Sequence, residues 1–446
     1  MQGKDLTSGG IIKNIVAFSL PYLLSYFMQI LYGLVDLFVI GQYCGVDSIT
    51  AVAIGSQVMH FVTVMIVGLA MGTTVTLAKS VGARDDERAA KAIGNTVTLF
   101  MIVAVILAAI LYFSVDSVVF AMSTPIEAIS QTRDYLAICF IGIPAIVAYN
   151  IIASVFRGLG DSKSPMYFIA VACVVNIALD YLLIGVLNMN AIGAALATTL
   201  SQLFSVVMVL MAVRRSGSGI NLSFADLRPS HRVMGEMLKI GVPISLQDGF
   251  IQVAFLIITV IANMRGLDDA AAVGIVEKII GMLFLVPSAM LSTVSAIAAQ
   301  NIGANKAHRA KLTLYYALVI TVAFGGISAF AMQVYADEAV AIFTSDPHVI
   351  ILGEQYLKGY VWDCVFAGIH FCFSGFFCAC GLSVISFVHN MVSICVARIP
   401  LCYIASAMYP DTLFPMGLAT VSGSVLSVII CIVAYMWILR RKARIV

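Results

Sequence analysis

RRSGSGINLSFADLRPSHRVMGEMLK, residues 214–239, is the most polar connection in an otherwise apolar chain, and its position divides that chain in two. Composition around it excludes a soluble protein. Of 446 residues, 61% are hydrophobic and 11% charged, against about 45–50% and 25% in soluble domains. Mean hydropathy is +1.03. Such a chain cannot cover itself with polar surface, so lipid must be the solvent for most of it. A net charge of +2, with no basic block outside short loops, excludes a disordered protein and a nucleic-acid binder. The ten cysteines lie almost entirely in apolar runs, as at Cys139, Cys173, Cys395 and Cys431, where a thiol behaves as a small hydrophobe. Cys378 and Cys380 form a CxC without a second pair at metal spacing, so no metal site is expected there.

Outward from the polar stretch, six apolar runs precede it, near 12–37, 48–77, 90–114, 128–155, 164–187 and 190–213. Six follow, near 236–262, 270–298, 312–335, 349–378, 384–408 and 413–438. Each is long enough to cross the hydrocarbon, which takes about 20 apolar residues. The first run is too long for a secretory signal core and is preceded by polar residues 1–10, so no leader is expected. Cytoplasmic loops collect Lys and Arg. With a cytoplasmic N-terminus, 20 of the 25 basic residues fall inside, Arg133, Arg265 and Lys358 fall outside, and Lys278 and Arg398 fall within spans. The sequence therefore predicts an all-α polytopic protein of the plasma (inner) membrane, with twelve transmembrane helices and both termini cytoplasmic.

The halves share one design. GARDDERAA at 82–90 matches GANKAHRAK at 303–311, NIALDY at 176–181 matches RIPLCY at 398–403, and Pro21 matches Pro243, at shifts of 221, 222 and 222. Six is even, so both copies enter the membrane in one orientation, as in transporters built from parallel repeats. The expected organisation is an N-lobe over 1–213, a cytoplasmic linker over 214–235 and a C-lobe over 236–446. These would be two pseudo-symmetric six-helix lobes around a central cleft. A duplicated, rocking transporter explains this design; an enzyme does not, and no HExxH or GxSxG motif is present.

Ionisable residues inside spans are costly and mark function by default. The acids are Asp36, Asp180, Asp248, Glu277 and Asp363; the bases are Lys278 and Arg398. Asp36 and Asp180 belong to a half whose spans hold no base. Two neighbouring carboxylates in a poorly solvated pocket cannot both stay charged alone; a proton, a metal cation or a cationic substrate could relieve them. Asn176 and Asp180 share one helical face, and Gln29, Tyr32 and Asp36 share another. With a Thr hydroxyl these supply hard oxygens suited to Na⁺. In the second half Glu277, Lys278, Asp363 and Arg398 could neutralise one another across helices, and His60, His370 and His389 read as hydrogen-bonded core residues. Five prolines, Pro21, Pro144, Pro243, Pro287 and Pro400, fall inside spans and invite bends. A bend at Pro21 could couple to Asp36 on the same helix.

LPYLLSYFMQILYGLVDLFVIG in the first helix, AKSVGARD after the second, FRGLGDSKSP after the fourth, NIALDYLLIG in the fifth and GAALATTLSQ in the sixth resemble the multidrug and toxic compound extrusion (MATE) transporters over essentially the whole chain. The chain is most similar to the DNA-damage-inducible branch. That resemblance implies export of organic cations (drugs, dyes) against H⁺ and/or Na⁺. It implies a cation site on Asp36, Asn176, Asp180 and Thr198, and a substrate cavity taking in Gln29, Tyr32, Tyr135 and Asn150. Another branch uses a Glu in helix seven and an Asp in helix ten; here helix seven offers Gln247, Asp248 and Gln252, while Asp363 is present. Asp248, Glu277, Asp363 and Arg398 are secondary candidates. A lipid-linked oligosaccharide flippase of the same superfamily is the alternative, and would call for basic residues to hold diphosphate. A monomer in lipid is expected, with no cofactor beyond the coupling ion and no nucleic-acid partner.

Overall fold

The computed structural model describes residues 4–215 and 223–440, so part of the predicted linker, 216–222, and the basic tail after Arg440 lie outside the described residues. Among the described residues there are twelve spans, eleven as helices and one as a bent pair. They are α1 (Ile11–Tyr43), α2 (Val46–Gly82), α3 (Asp86–Phe113), α4 (Ile126–Gly158, bent), α5 (Lys163–Val186) and α6 (Asn190–Arg215). The second six are α7 (His231–Asn263), α8 (Leu267–Gly303), α9 (Ala307–Val334), α10 (Asp363–Cys380), α11 (Ser383–Met408) and α12 (Phe414–Arg440). Large apolar side chains such as Ile106, Phe330 and Val433 face outward. That arrangement suits a chain solvated by hydrocarbon rather than water. The protein is an integral membrane protein.

The prolines divide into two kinds. Pro144 accompanies a 48° bend in α4 at Gly142, and Pro287 follows a break in α8 at Phe284. Pro400 follows a π-helical turn in α11, Ile394–Arg398. Pro21 and Pro243, by contrast, lie inside continuous helices. Ser25 Oγ donates to the Pro21 carbonyl itself at 2.9 Å, whereas the carbonyl that loses its helical donor to the proline is that of Ala17.

The chain forms two compact units. One comprises the chain up to Asp5 and Leu20–Leu238; the other comprises Leu6–Ser19 and the chain from Lys239 onward. Thus α1 and α7 each change unit shortly before their proline. The reason lies in side-chain bonding at the helix starts. Leu6 is buried and its N–H donates to Gln300 Oε1 at 3.1 Å, while Lys306 Nζ donates to the Thr7 carbonyl at 2.9 Å. In the first unit, the linker turn Phe224–Leu227 folds onto α3: Thr98 Oγ1 donates to the Leu227 carbonyl, and the Ser230 N–H donates to Asn95 Oδ1 at 2.6 Å. A Cβ at Gly94 would sit 2.2 Å from the Asp226 carbonyl, so only glycine permits this approach. From Ser223 onward the polar stretch is therefore folded against α3.

The duplication extends to the cores. Val39, Ile40, Ala51, Tyr135, Cys139 and Ala194 belong to the main core of the first unit. Ile261, Ala262, Val273, Leu357, Val361 and Met416, each 222 positions later, belong to that of the second.

Candidate functional site

Three helices of the first unit bring the predicted carboxylates together. On α1, Asp36 is 2% exposed; on α5, Asn176 and Asp180 are fully buried one helical turn apart. Immediately after Asp180 the helix widens into a π-helical segment, Tyr181–Val186, a distortion often found at functional positions. From α6, Thr198 Oγ1 donates to Asp36 Oδ2 at 3.1 Å. The Thr198 carbonyl in turn accepts from Tyr32 Oη at 3.2 Å and Ser201 Oγ at 2.9 Å. Asp36, Asp180 and Asn176 are close enough to interact directly.

Satisfaction is what sets this cluster apart. Asp36 Oδ1, both oxygens of Asp180 and both polar atoms of Asn176 are buried without a hydrogen-bond partner. Buried polar groups are nearly always paired. Two ionised carboxylates cannot donate to each other, so a shared proton or a small cation would supply the missing partner. The unpaired oxygens fit a hard cation.

The cavity candidates are more dispersed. Tyr32 joins the cluster through Thr198. Tyr135 lies within electrostatic range of Asp36, but its hydroxyl pairs with Ser56 Oγ at 3.2 Å. Asn150 is buried and its Nδ2 donates to the Ile146 carbonyl of its own helix; Gln29 is half-buried on α1. Sequence reading missed two groups within electrostatic range of Asp36, Cys139 and Cys173, and two further buried, unpartnered groups on α6, Thr199 Oγ1 and Gln202 Oε1. Helical spacing could have found three of them, because Cys139 follows Tyr135 by four, Gln202 follows Thr198 by four and Cys173 precedes Asn176 by three.

The expectation that the spans of the first half hold no base is overturned by Arg157, which lies in the last turn of α4, 8% exposed, with its guanidinium over the Tyr22 ring at 5.1 Å. The first unit therefore does bury a base. Tyr22 precedes Asp36 by 14 residues on α1, about 21 Å at 1.5 Å per residue, so this charge does not neutralise the carboxylates.

In the second unit the four secondary candidates do not converge. Arg398 Nη2 donates to Asp363 Oδ2 at 2.5 Å and to Ser424 Oγ at 3.1 Å. Glu277 accepts from Thr259 Oγ1 at 3.1 Å, and Asp248 from Gln247 Nε2 at 3.4 Å. Lys278 is exposed and pairs with no acid among the described residues. The mutual neutralisation expected of this set is thus confined to one pair. Of the histidines, His389 is bonded to Ser374 and Ser427, whereas His370 Nδ1 is buried and unpartnered.

A duplicated twelve-span helical fold with a buried acidic cluster defines a membrane transport protein, not an enzyme. The chain belongs to the MatE family, whose sequence pattern matches it twice, at residues 21–182 and 243–404. Among its relatives are the probable multidrug resistance protein YpnP of Bacillus subtilis (strain 168), 30% identical over 407 residues and 91% of each chain. The multidrug export protein MepA of Staphylococcus haemolyticus is 23% identical over 373 residues, 83% of this chain and 82% of that one. In fold, a crystal structure of MATE in complex with MaL6 superposes with a TM-score of 0.90 at 22% identity, covering 99% of this chain and 98% of the other.

Proposed function

We propose that the protein exports amphipathic organic cations from the cytoplasm in exchange for H⁺ and/or Na⁺, by alternating access. The observation that carries this reading is the cluster of Asp36, Asn176, Asp180 and Thr198. Five of its buried polar atoms have no partner, so an entering cation gains bonds that the protein alone does not supply. Asp36 and Asp180 act as acceptors, and Asn176 and Thr198 add neutral oxygens. Occupancy relieves carboxylate repulsion and so favours one conformation over the other; a ligand shifts such an equilibrium only by its differential affinity for the two states. Gln29, Tyr32, Tyr135 and Asn150 line the substrate path. Both termini face the cytoplasm, the chain works as a monomer among lipids, and its nearest functional type is the DNA-damage-inducible branch. The names of YpnP and MepA, for multidrug resistance and multidrug export, agree with this substrate class.

A lipid-linked oligosaccharide flippase ranks second. Diphosphate needs a cationic partner, and the base buried in the first unit, Arg157, is held against Tyr22 at the end of α4. Proteoliposomes loaded with a fluorescent organic cation and given Na⁺ and H⁺ gradients separately test the proposal. Uphill dye movement driven by either gradient is expected; dye movement indifferent to both would refute antiport.

A further inference from the structure

Arg398 stands 222 positions after Asn176, at the same place in the second copy of the repeat, and Cys402 likewise follows Asp180 by 222. In the first unit that place holds a small amide with unsatisfied polar atoms. In the second it holds a guanidinium, 7% exposed, bonded to the buried Asp363 and to Ser424. The surroundings have been cut to admit it. A Cβ on Gly423 would lie 2.8 Å from Arg398 Cβ and 3.2 Å from its Nε, and the corresponding first-unit position, 222 earlier, carries Ser201. Beside the guanidinium is a cavity of about 30 Å³, lined among others by His370, Asn390, Ser393, Ser424 and Ser427. That is room for one or two waters.

We propose that Arg398 is a tethered stand-in for the coupling cation. The second unit keeps a monovalent-cation site, made by Asp363, Ser424 and the neutral oxygens of the adjoining cavity, but fills it with a covalently attached charge. A free cation entering there would face a like charge and find the Asp363 oxygen nearest the guanidinium already engaged. The chain therefore has one exchangeable cation site, in the first unit, and residue 398 sets that number. This rests on the first-unit cation reading for the comparison between repeats, while the chemistry of the second unit stands on its own contacts.

The test is ²²Na⁺ binding to the full-length chain in lipid nanodiscs, with Asp36→Asn/Asp180→Asn silencing the first unit. Placing the first-unit residue in the second, Arg398→Asn, should create saturable binding of about one Na⁺ per chain, at least tenfold above that background. Adding Asp363→Asn should abolish it, and Arg398→Lys, which keeps a tethered ammonium, should stay at background. A folded Arg398→Asn chain that binds no Na⁺ overturns the proposal. So does Asp363-dependent Na⁺ binding with Arg398 intact, a result that does not depend on whether the arginine variant folds. The chain with Asp36 and Asp180 restored, run alongside, reports separately on the first unit: loss of binding there counts against Na⁺ at Asp36 and Asp180, not against the role of Arg398.

Discussion

Thr198 on α6 donates its hydroxyl to Asp36 on α1 across 3.1 Å, and Tyr32, one turn before Asp36, donates to the carbonyl of the same Thr198. Two helices 162 residues apart in sequence are thereby keyed to each other at the carboxylate pair. Movement of α1 along α6 must break or remake these bonds, which is how site occupancy could be felt by the helix.

Thr198→Val removes the hydroxyl that donates to Asp36 while conserving shape. A hydrogen bond to a charged group is worth about 1.5–3 kcal/mol, so Na⁺ or proton affinity at the site should change about tenfold or more. Isothermal titration of Na⁺ in detergent checks this; unchanged affinity would remove Thr198 from the site.

Asp36→Asn and Asp180→Asn should each insert normally, retain dye binding and lose gradient-driven export. The decisive measurement is uphill transport by the double variant in proteoliposomes. If it still concentrates dye against a gradient, the coupling site lies elsewhere.

Asp363→Asn should have a different signature. It leaves the first-unit cluster intact, so export per folded molecule should fall less than for Asp36→Asn. Stability should suffer, because Arg398 would be a buried charge without its partner, a loss of roughly 3–5 kcal/mol. A large drop in melting temperature with modest loss of turnover is the expected pair of results.

Gly423→Ala places a methyl against Arg398 Cβ at 2.8 Å, and overpacking of this kind costs about 1–3 kcal/mol. Thermal unfolding should show it, and adding Gly423→Ala to Arg398→Gly, which has no Cβ to meet, should cost less than adding it to the unsubstituted chain. Additive losses in the double variant would show that the glycine does not serve the arginine.

Cysteine at Asp86, on the loop that begins α3, should be labelled only from the cytoplasmic side, and cysteine at the exposed Leu267, which begins α8, only from outside. Impermeant maleimide on right-side-out cells separates the two, and the reverse pattern would invert the topology.

Span count, duplication and the intramembrane carboxylates were legible from the sequence, whereas the buried base Arg157 was not. They depend on local properties: twenty apolar residues read as a span wherever they lie, Lys and Arg mark cytoplasmic loops, and a repeat is a pattern at fixed offset. The set Asp36, Asn176, Asp180 and Thr198 came from helical spacing together with family resemblance, and the fold brings Thr198 and Asp36 into direct contact. What the sequence left open was pairing between helices. Which helix supplies a partner to Asp363, Arg398, Glu277 or Lys278 depends on how each helix is rotated about its axis. Helices apolar nearly all round carry little amphipathic signal to fix that rotation. Only tertiary packing joined Asp363 to Arg398 across 35 residues, buried Arg157 against Tyr22 and assigned Leu6–Ser19 to the second unit. In each case the deciding energy is a contact between distant segments, which no window along the chain contains.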